Sequence, residues 1–153
     1  MLSTGDTAPD FTLPDQNGTQ VTLSTLLEAG PVVLFFYPRA MTTGCTKEAC
    51  HFRDIGAEFE AVGAQRVGIS ADKVSRQAQF DAKHGLGYPL LSDSDRSVAA
   101  AFGVTRPVAI LGNKRTTFVI GADRRVLGVV SSELNMDVHA DQALDVLRSH
   151  AAS

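Results

Sequence analysis

The sequence predicts an α/β protein with a mixed central sheet, helices on both faces and an additional hairpin at the N-terminus. A wholly apolar segment at 32–37 is typical of a central strand buried on both faces. A helical pattern follows it, as expected where the next strand pairs in parallel. Segments 116–120 and 126–130 alternate around a short turn, which indicates an antiparallel hairpin. The parallel and antiparallel pairs together make the sheet mixed.

The first elements are a hairpin and the central strand. Segments 11–13 and 21–23 alternate apolar and polar residues, and Asn17-Gly18 between them is a strong tight-turn signal. After Pro31, segment 32–37 is continuously apolar and rich in β-branched and aromatic residues. We therefore expect the hairpin to precede a fully buried strand.

The middle of the chain predicts alternating helices and strands. A helix follows the two cysteines, because apolar residues recur every three or four positions on one face, at Phe52, Ile55, Phe59 and Val62. A strand at 66–70 comes next, then a helix near 75–84 that Gly85 ends, then a short strand at 89–91.

The last third of the chain completes the sheet. We expect one or two helical turns at 95–102, then the hairpin around the turn at 121–124. The final helix carries an apolar stripe at Ala140, Ala143, Leu144 and Leu147. The order is hairpin, strand–helix–strand, helix, short insertion, hairpin and helix. This is the layout of a thioredoxin-like fold with an extra N-terminal hairpin and a central insertion.

Length and charge restrict the function further. A chain of 153 residues predicts a single domain over 1–153, and 44% hydrophobic residues are enough for a core. The net charge of −3 gives no electrostatic case for nucleic acid or an anionic membrane surface. We therefore expect neither as a partner.

Nothing in the sequence resembles a membrane span or a leader. The apolar segment 32–37 is far shorter than the ~20 residues that a transmembrane helix needs. Residues 1–6 lack a basic region followed by an apolar stretch, so we expect a cytoplasmic protein. In that reducing compartment Cys45 and Cys50 are better explained by redox chemistry or metal binding than by a structural disulfide.

Cys45 occupies the position where catalytic groups are expected. Pro38 ends the central strand, residues 38–44 form a loop, and the helical pattern begins near Cys45. Ligand crevices of open α/β sheets lie beyond the carboxyl ends of strands. The free amides and dipole of a helix N-terminus favour the thiolate, which is the nucleophilic form. Thr42 adds a hydroxyl that donates and accepts hydrogen bonds.

Cys50 follows five residues later, and this spacing has a mechanical consequence. In an ideal helix it corresponds to about 7.5 Å of rise and about 140° of rotation. The Cα atoms are then about 8–9 Å apart, beyond the ~7 Å limit for a disulfide. The two thiols can bond only if the first turns of the helix unwind.

Two alternatives for the cysteine pair remain open from the residues alone. Both cysteines can be inert packing residues, and Cys50 fits that interpretation because it lies among helical residues. A zinc site using Cys45, Cys50 and His51 has awkward spacing and no second pair of ligands. No nucleotide-binding or serine-hydrolase motif is present, so we expect neither a cofactor nor a metal.

The cysteine segment resembles the active site of the peroxiredoxins. Their hallmark P-x-x-x-T-x-x-C is met from Pro38 to Cys45. The wider string 44–54 is similar to the bacterioferritin comigratory protein, or peroxiredoxin Q, subfamily, in which a resolving cysteine five positions after the first is common. Segments 5–13 and 115–120 fit as well, so the resemblance covers nearly the whole chain.

The resemblance implies a role for each matching residue. Cys45 is the expected peroxidatic thiolate and Cys50 the resolving thiol. Thr42 and Arg115 are expected to bind the peroxide oxygens and to stabilise the thiolate. Without the resemblance, Arg115 is a solvated strand end.

Three further residues gain meaning from the same resemblance. Pro38 is expected to shield the reactive sulfur from solvent. Glu48, otherwise an exposed acid in the first helical turn, is expected to orient Arg115. Thr43 stands where many relatives have proline, which changes how readily the helix unwinds. The apolar loop 106–113 matches no pattern that we can assign.

The implied activity is thiol-dependent peroxidase. A hydroperoxide oxidises Cys45 to sulfenic acid, Cys50 forms a disulfide with it, and thioredoxin or a similar dithiol reduces that disulfide. The resemblance favours a monomer over a homodimer. Two other functions remain open from the sequence: a dithiol oxidoreductase, which expects a C-x-x-C motif that this chain lacks, and a non-enzymatic chaperone or binding protein.

Overall fold

The computed structural model describes residues 1–107 and 112–151, and of Ala151 the backbone alone. The strands are β1 (Thr12–Pro14), β2 (Gln20–Thr22), β3 (Val32–Phe36), β4 (Gln65–Ser70), β5 (Leu90–Ser92), β6 (Thr116–Ile120) and β7 (Val126–Ser131). The helices are α1 (Leu23–Leu26), α2 (Thr43–Asp54), α3 (Gly56–Ala61), α4 (Val74–His84), α5 (Ser97–Phe102) and α6 (Asp137–Ala151).

The central sheet is mixed, as the sequence predicts. Its five strands lie in the order β5-β4-β3-β6-β7. The β3–β4 and β4–β5 pairs are parallel, whereas β3–β6 and β6–β7 are antiparallel. The hairpin of β1 and β2 forms a separate two-stranded sheet, with Leu13 opposite Val21. Strand β3 therefore lies at the centre, with all five of its residues buried.

Helices cover both faces because β3 presents alternate side chains to each. Val33 and Phe35 pack on the face that carries α2, α3, α4 and α6. Val32, Leu34 and Phe36 pack on the opposite face with α1 and α5. The predicted stripe of α6 is buried throughout, with no residue more than 4% exposed. This two-sided core fixes the carboxyl end of β3, where the cysteine loop begins.

Two boundaries differ from the sequence prediction. Leu23, expected in the second hairpin strand, begins α1 instead. The single helix predicted through Val62 is divided into α2 and α3 at Ile55. Arg66 lies at this break: its Nη1 donates to the Phe52 carbonyl at 2.9 Å, and a Cβ on Gly56 would come within 2.5 Å of the same nitrogen. A periodic apolar pattern does not record a guanidinium inserted from a neighbouring strand.

The helices of the described residues and the apolar loop complete the description of the fold. Within 1–107 and 112–151, no helix is both long and apolar enough to cross a membrane. Of the apolar loop 106–113, residues 108–111 lie outside the part that the structure describes.

Candidate active site

The cysteine loop connects the central strand to α2, as the sequence predicts. Strand β3 ends at Phe36, and α2 begins at Thr43, so Cys45 lies in the first helical turn. Thr42 has extended backbone angles, φ −79 and ψ 156, and its hydroxyl donates to the Arg39 carbonyl at 2.9 Å. The first turn of a helix places free amides near the Cys45 side chain, which favours a negative sulfur.

Arg115 is the side chain that contacts the Cys45 sulfur. Its Nη2 donates to Cys45 Sγ at 3.3 Å, and the two residues are only 6% and 1% exposed. The strand register explains the meeting, because Phe36 of β3 lies opposite Thr116 of β6. The residue before β6 therefore lies beside the loop that follows β3. A buried guanidinium at this distance stabilises a thiolate, and the position is not the solvated strand end that the residues alone suggest.

Glu48 holds the Arg115 guanidinium in place through a buried, hydrogen-bonded ion pair. It lies one helical turn after Cys45, is fully buried, and accepts from Arg115 Nη1 at 2.8 Å. Burial raises the pKa of Glu48 to about 7, although the charge of Arg115 and its hydrogen bond act in the opposite direction. The exposed first-turn acid expected from the residues alone is wrong, because Glu48 lies on the buried face of α2 together with Phe52, whose ring stacks on Phe35 of β3.

Pro38 is in close contact with Gly112, which lies in the chain segment before β6. Gly112 has φ +71, and a Cβ there would come within 2.4 Å of the Pro38 carbonyl oxygen. Asn113 Nδ2 also donates to the Tyr37 carbonyl at 3.4 Å. The segment before β6 thus packs directly on the residues that end β3, and only glycine permits so close an approach.

The middle of the loop is fastened to β4 and α4 through Ala40. Its N–H donates to Asp72 Oδ2 at 2.7 Å, and its carbonyl accepts from Arg76 Nη2 at 3.4 Å. Ser70 at the end of β4 donates to the same Asp72 oxygen at 2.6 Å. Met41, the next residue, has a left-handed φ of 68, which is unusual for a residue other than glycine. The loop therefore has a defined conformation immediately before Thr42.

Cys50 lies on the same helix, and both cysteines are free thiols. Cys50 is partly buried against the core, and its neighbours are bound to other elements. The Tyr88 hydroxyl donates to the Ala49 carbonyl at 2.7 Å, and His51 Nε2 lies 2.8 Å from Asp141 Oδ1. Cys45 and Cys50 thus lie five residues apart on one continuous helix, a spacing at which the Cα atoms of an ideal helix are beyond disulfide reach.

The sequence does not identify several residues around the site. Glu133 accepts from the Arg115 backbone N–H at 3.0 Å and from Arg106. Met136 is 8% exposed, and its sulfur lies 3.4 Å from the position of a Cβ on Gly44. Both residues follow β7, where their chain segment has no motif or periodicity. His139, on the first turn of α6, is fully buried.

No metal cluster forms around the cysteines in the described part of the chain. Across residues 1–107 and 112–151, no three His, Cys, Asp or Glu side chains gather in a way that could hold a metal ion. His51, the third member of the zinc alternative, pairs with Asp141 of α6. The site consists of a thiol, a guanidinium and a carboxylate in contact.

A cysteine at this helix start, held by a buried arginine on a thioredoxin-like sheet, defines the class of thiol peroxidases. The chain belongs to the AhpC/TSA family, whose sequence model matches residues 4–129. It is therefore a peroxiredoxin, an enzyme whose substrates are hydroperoxides.

Its similar relatives are of the Bcp and peroxiredoxin Q type. A putative peroxiredoxin of Mycobacterium tuberculosis is 60% identical over 97% of both chains. Peroxiredoxin Bcp of Escherichia coli is 39% identical over 98% of both chains.

Solved structures give the same result. Peroxidoxin BcpB of Mycobacterium tuberculosis superposes with a TM-score of 0.93 at 60% identity, covering 97% of this chain and 98% of the other. The bacterioferritin comigratory protein of Xanthomonas campestris, described for its alkyl peroxide reduction activity, has a TM-score of 0.83 at 33% identity over 92% of both chains. The thioredoxin-like fold predicted from the order of elements is thereby confirmed.

Proposed function

We propose that this peroxiredoxin reduces hydrogen peroxide and organic hydroperoxides through an intramolecular Cys45–Cys50 disulfide, which thioredoxin or a similar dithiol then reduces. The observation that carries the proposal is the buried contact of 3.3 Å between Arg115 Nη2 and Cys45 Sγ. The alkyl peroxide activity described for the Xanthomonas relative supports the organic substrates. No C-x-x-C motif is present to support a dithiol oxidoreductase instead.

In the first step the Cys45 thiolate attacks one oxygen of the peroxide. An S–O bond forms, the O–O bond breaks, and the leaving oxygen takes a proton and departs as water or alcohol. The sulfur is oxidised to sulfenic acid, and the peroxide is reduced. Arg115 stabilises the thiolate and the charge that develops on the leaving oxygen, and Thr42 supplies a hydroxyl to the peroxide. Pro38 shields the sulfur, while Glu48 orients the guanidinium.

In the second step the two cysteines must approach each other. The first turns of α2 unwind, the Cys50 sulfur attacks the Cys45 sulfur, and the sulfenic oxygen leaves with protons as water. An external dithiol then reduces the disulfide through a mixed disulfide. Since one helix carries both sulfurs, a single domain over 1–153 acting as a monomer is sufficient for the whole cycle.

The proposed route predicts a specific behaviour for Cys50→Ser. This variant should react with one equivalent of peroxide at the wild-type rate, because Cys45 and Arg115 are unchanged. It should then stop, with loss of steady-state turnover with thioredoxin, because no partner thiol is in reach. Intact mass after one equivalent should show a gain of one oxygen, whereas the wild type should show a loss of two hydrogens. Full turnover by the variant would place the resolving thiol elsewhere.

The reductant is tested on the same oxidised protein. Thioredoxin with its reductase should restore both free thiols in the wild type, as measured by thiol titration over time. Glutathione at equal thiol concentration is the comparison, and faster recovery with glutathione would contradict the proposed partner.

Sedimentation of the reduced and oxidised protein should give a monomer in both states.

Thr43→Pro should slow the second step alone. Position 43 is the first residue of α2, where proline is favoured, and Thr42 already has the extended angles that a following proline requires. Proline at a compatible site stabilises by ~0.4–1 kcal/mol, which is about a 2–5-fold slower opening. Stopped-flow measurement should show unchanged oxidation by peroxide and slower disulfide formation. Thr46→Ser, inside the same helix, changes the helix propensity little and is the control, which should leave both steps unchanged. Disulfide formation in Thr43→Pro at or above the wild-type rate would contradict the prediction.

A further inference from the structure

A buried histidine lies beneath the Arg115–Glu48 pair, and the peroxidase mechanism above does not use it. His139 is 0% exposed and projects from the first turn of α6. Its Nδ1 lies 2.9 Å from Thr117 Oγ1 and 3.6 Å from Glu48 Oε2. Within residues 1–107 and 112–151, Glu48 Oε2 has no hydrogen-bond partner, although it is buried. A buried carboxylate oxygen without a partner is costly, and His139 Nδ1 is a ring nitrogen that faces it at 3.6 Å.

The surroundings of His139 determine which of its nitrogens can change protonation. Nε2 lies 2.8 Å from the Ser132 carbonyl oxygen, which can only accept, so Nε2 carries a hydrogen. Nδ1 is then the variable atom. Without a hydrogen, its single lone pair accepts from the Thr117 hydroxyl, and it has no proton to offer Glu48. With a hydrogen it becomes a donor that faces both Thr117 Oγ1 and Glu48 Oε2.

A proton on Glu48 or His139 changes the net charge of the buried site. A Cys45 thiolate, the Arg115 guanidinium and a Glu48 carboxylate sum to one negative charge in a site that excludes water. Glu133, on the loop before α6, adds a negative charge nearby, but it is about half exposed and pairs with Arg106. Tyr88 also faces Glu48, yet burial raises its pKa and it stays neutral. One proton shared by Glu48 and His139 would therefore neutralise the buried group.

We propose that His139 is a positioning residue of the peroxidase site, which together with Glu48 holds one proton beneath Arg115 and so balances the Cys45 thiolate. With that proton in place, Arg115 has one strong anionic partner, the sulfur, rather than two in competition. Burial raises the pKa of Glu48 to about 7 and lowers the pKa of His139, so the proton of the pair lies mainly on the carboxyl, and His139 Nδ1 is the ring nitrogen that faces it at 3.6 Å. The inference rests on the proposed function of Cys45.

Two substitutions at position 139 separate this role from a structural one. Glutamine can keep a donor near the Nε2 position, toward Ser132, but leaves nothing at the Nδ1 position. Asparagine can place an amide nitrogen near the Nδ1 position and loses the bond to Ser132. If the hydrogen bond from Nε2 to the Ser132 carbonyl matters most, His139→Asn should lower the rate constant with hydrogen peroxide more. If the contact of Nδ1 with Glu48 matters most, His139→Gln should lower it more.

The readout is the second-order rate constant with hydrogen peroxide between pH 6 and 8.5. His139→Gln should stay within about 2-fold of wild type at pH 6, where Glu48 holds the proton alone, and fall about 10-fold below it at pH 8. His139→Asn should lie closer to wild type at pH 8. In a Glu48→Gln background, His139→Gln should have no further effect on the pH profile. Equal losses at every pH, or a greater loss in His139→Asn, would overturn the proposal.

A measurement that needs no substitution at position 139 covers the case in which the His139 variants do not fold. The ¹³C shift of the Glu48 carboxyl and the ¹⁵N shift of His139 Nδ1 should titrate together as one proton leaves the pair. Their midpoint should fall by about one pH unit in Cys45→Ser, where no thiolate attracts the proton. An identical midpoint in the wild type and Cys45→Ser would refute the coupling between the Glu48–His139 pair and the Cys45 thiolate, while leaving the peroxidase function intact. Retained turnover in Cys45→Ser would instead refute the proposed function.

Discussion

Replacing Cys45 with serine is expected to abolish peroxidase turnover. A serine hydroxyl does not ionise near neutral pH and cannot form a sulfenic acid, so Arg115 would face a group that peroxide does not oxidise. The rate of hydrogen peroxide consumption should fall to the uncatalysed background with every reductant. The fold should be retained, because serine is smaller than the buried thiol that it replaces.

The control for this variant lies on the same helix. Cys50→Ser makes the same chemical change five residues away and should still consume one equivalent of peroxide at the wild-type rate. Stopped-flow measurement of both variants therefore separates loss of the nucleophile from loss of its resolving partner. A Cys45→Ser protein that still turned over would contradict the assignment of the nucleophile.

Replacing Arg115 with methionine is expected to lower the second-order rate constant with hydrogen peroxide by ~10²–10³, the usual effect of removing one donor from a developing oxyanion. Methionine keeps much of the side-chain length and apolar volume, so the packing changes little. The hydrogen bond at 3.3 Å to the sulfur and the charge that favours the thiolate are both lost. Arg115→Lys should recover part of the rate, because it restores the charge without the planar fork.

Stability provides the control for Arg115→Met. The variant leaves Glu48 buried without its cation, and breaking a buried pair costs ~3–5 kcal/mol. Arg115 lowers the pKa of Glu48, so its removal raises that pKa further above the unfolded value. Both proteins hold the Glu48 proton at pH 5, whereas at pH 8 the variant holds it more tightly against a solvent that favours its release, so the loss of stability should be larger at pH 8 than at pH 5. The double variant Arg115→Met/Glu48→Gln should recover stability in urea but not the rate. Recovery of both would show that Arg115 acts only through folding.

Much of the fold follows from local patterns. The apolar segment of β3, the Gly85 that ends α4 and the alternation of β6 and β7 each record a short-range preference, and each element was found where it was expected. The position of Cys45 follows from the same preferences, because Pro38 ends a strand and a helix begins soon after. The division at Ile55 does not, since it depends on Arg66 from another element.

Most residues of the candidate site also depend on contacts between distant elements, which local sequence patterns do not record. From the residues alone Arg115 and Glu48 are ordinary surface charges, and only the resemblance to peroxiredoxins indicated otherwise. Their meeting is set by the register of β3 with β6, which joins residues 67 positions apart. Glu133 and His139 have no local signal at all. The register of β6 with β7, which sets Thr116 opposite Ser131, brings Glu133 beside Arg115, and the packing of α6 against the sheet brings His139 beside Glu48.

The anchors on either side of the reactive helix turn have a consequence for catalytic speed. Ala40 is held by Asp72 and Arg76, and the Ala49 carbonyl is held by the Tyr88 hydroxyl. While both anchors hold, unwinding of α2 releases only the short stretch between them. The cost of closing a loop rises with its length, so a short released stretch gives Cys50 a high effective concentration at the oxidised sulfur. In the proposed cycle, this closeness favours capture of the Cys45 sulfenic acid by Cys50 over its oxidation by a second peroxide.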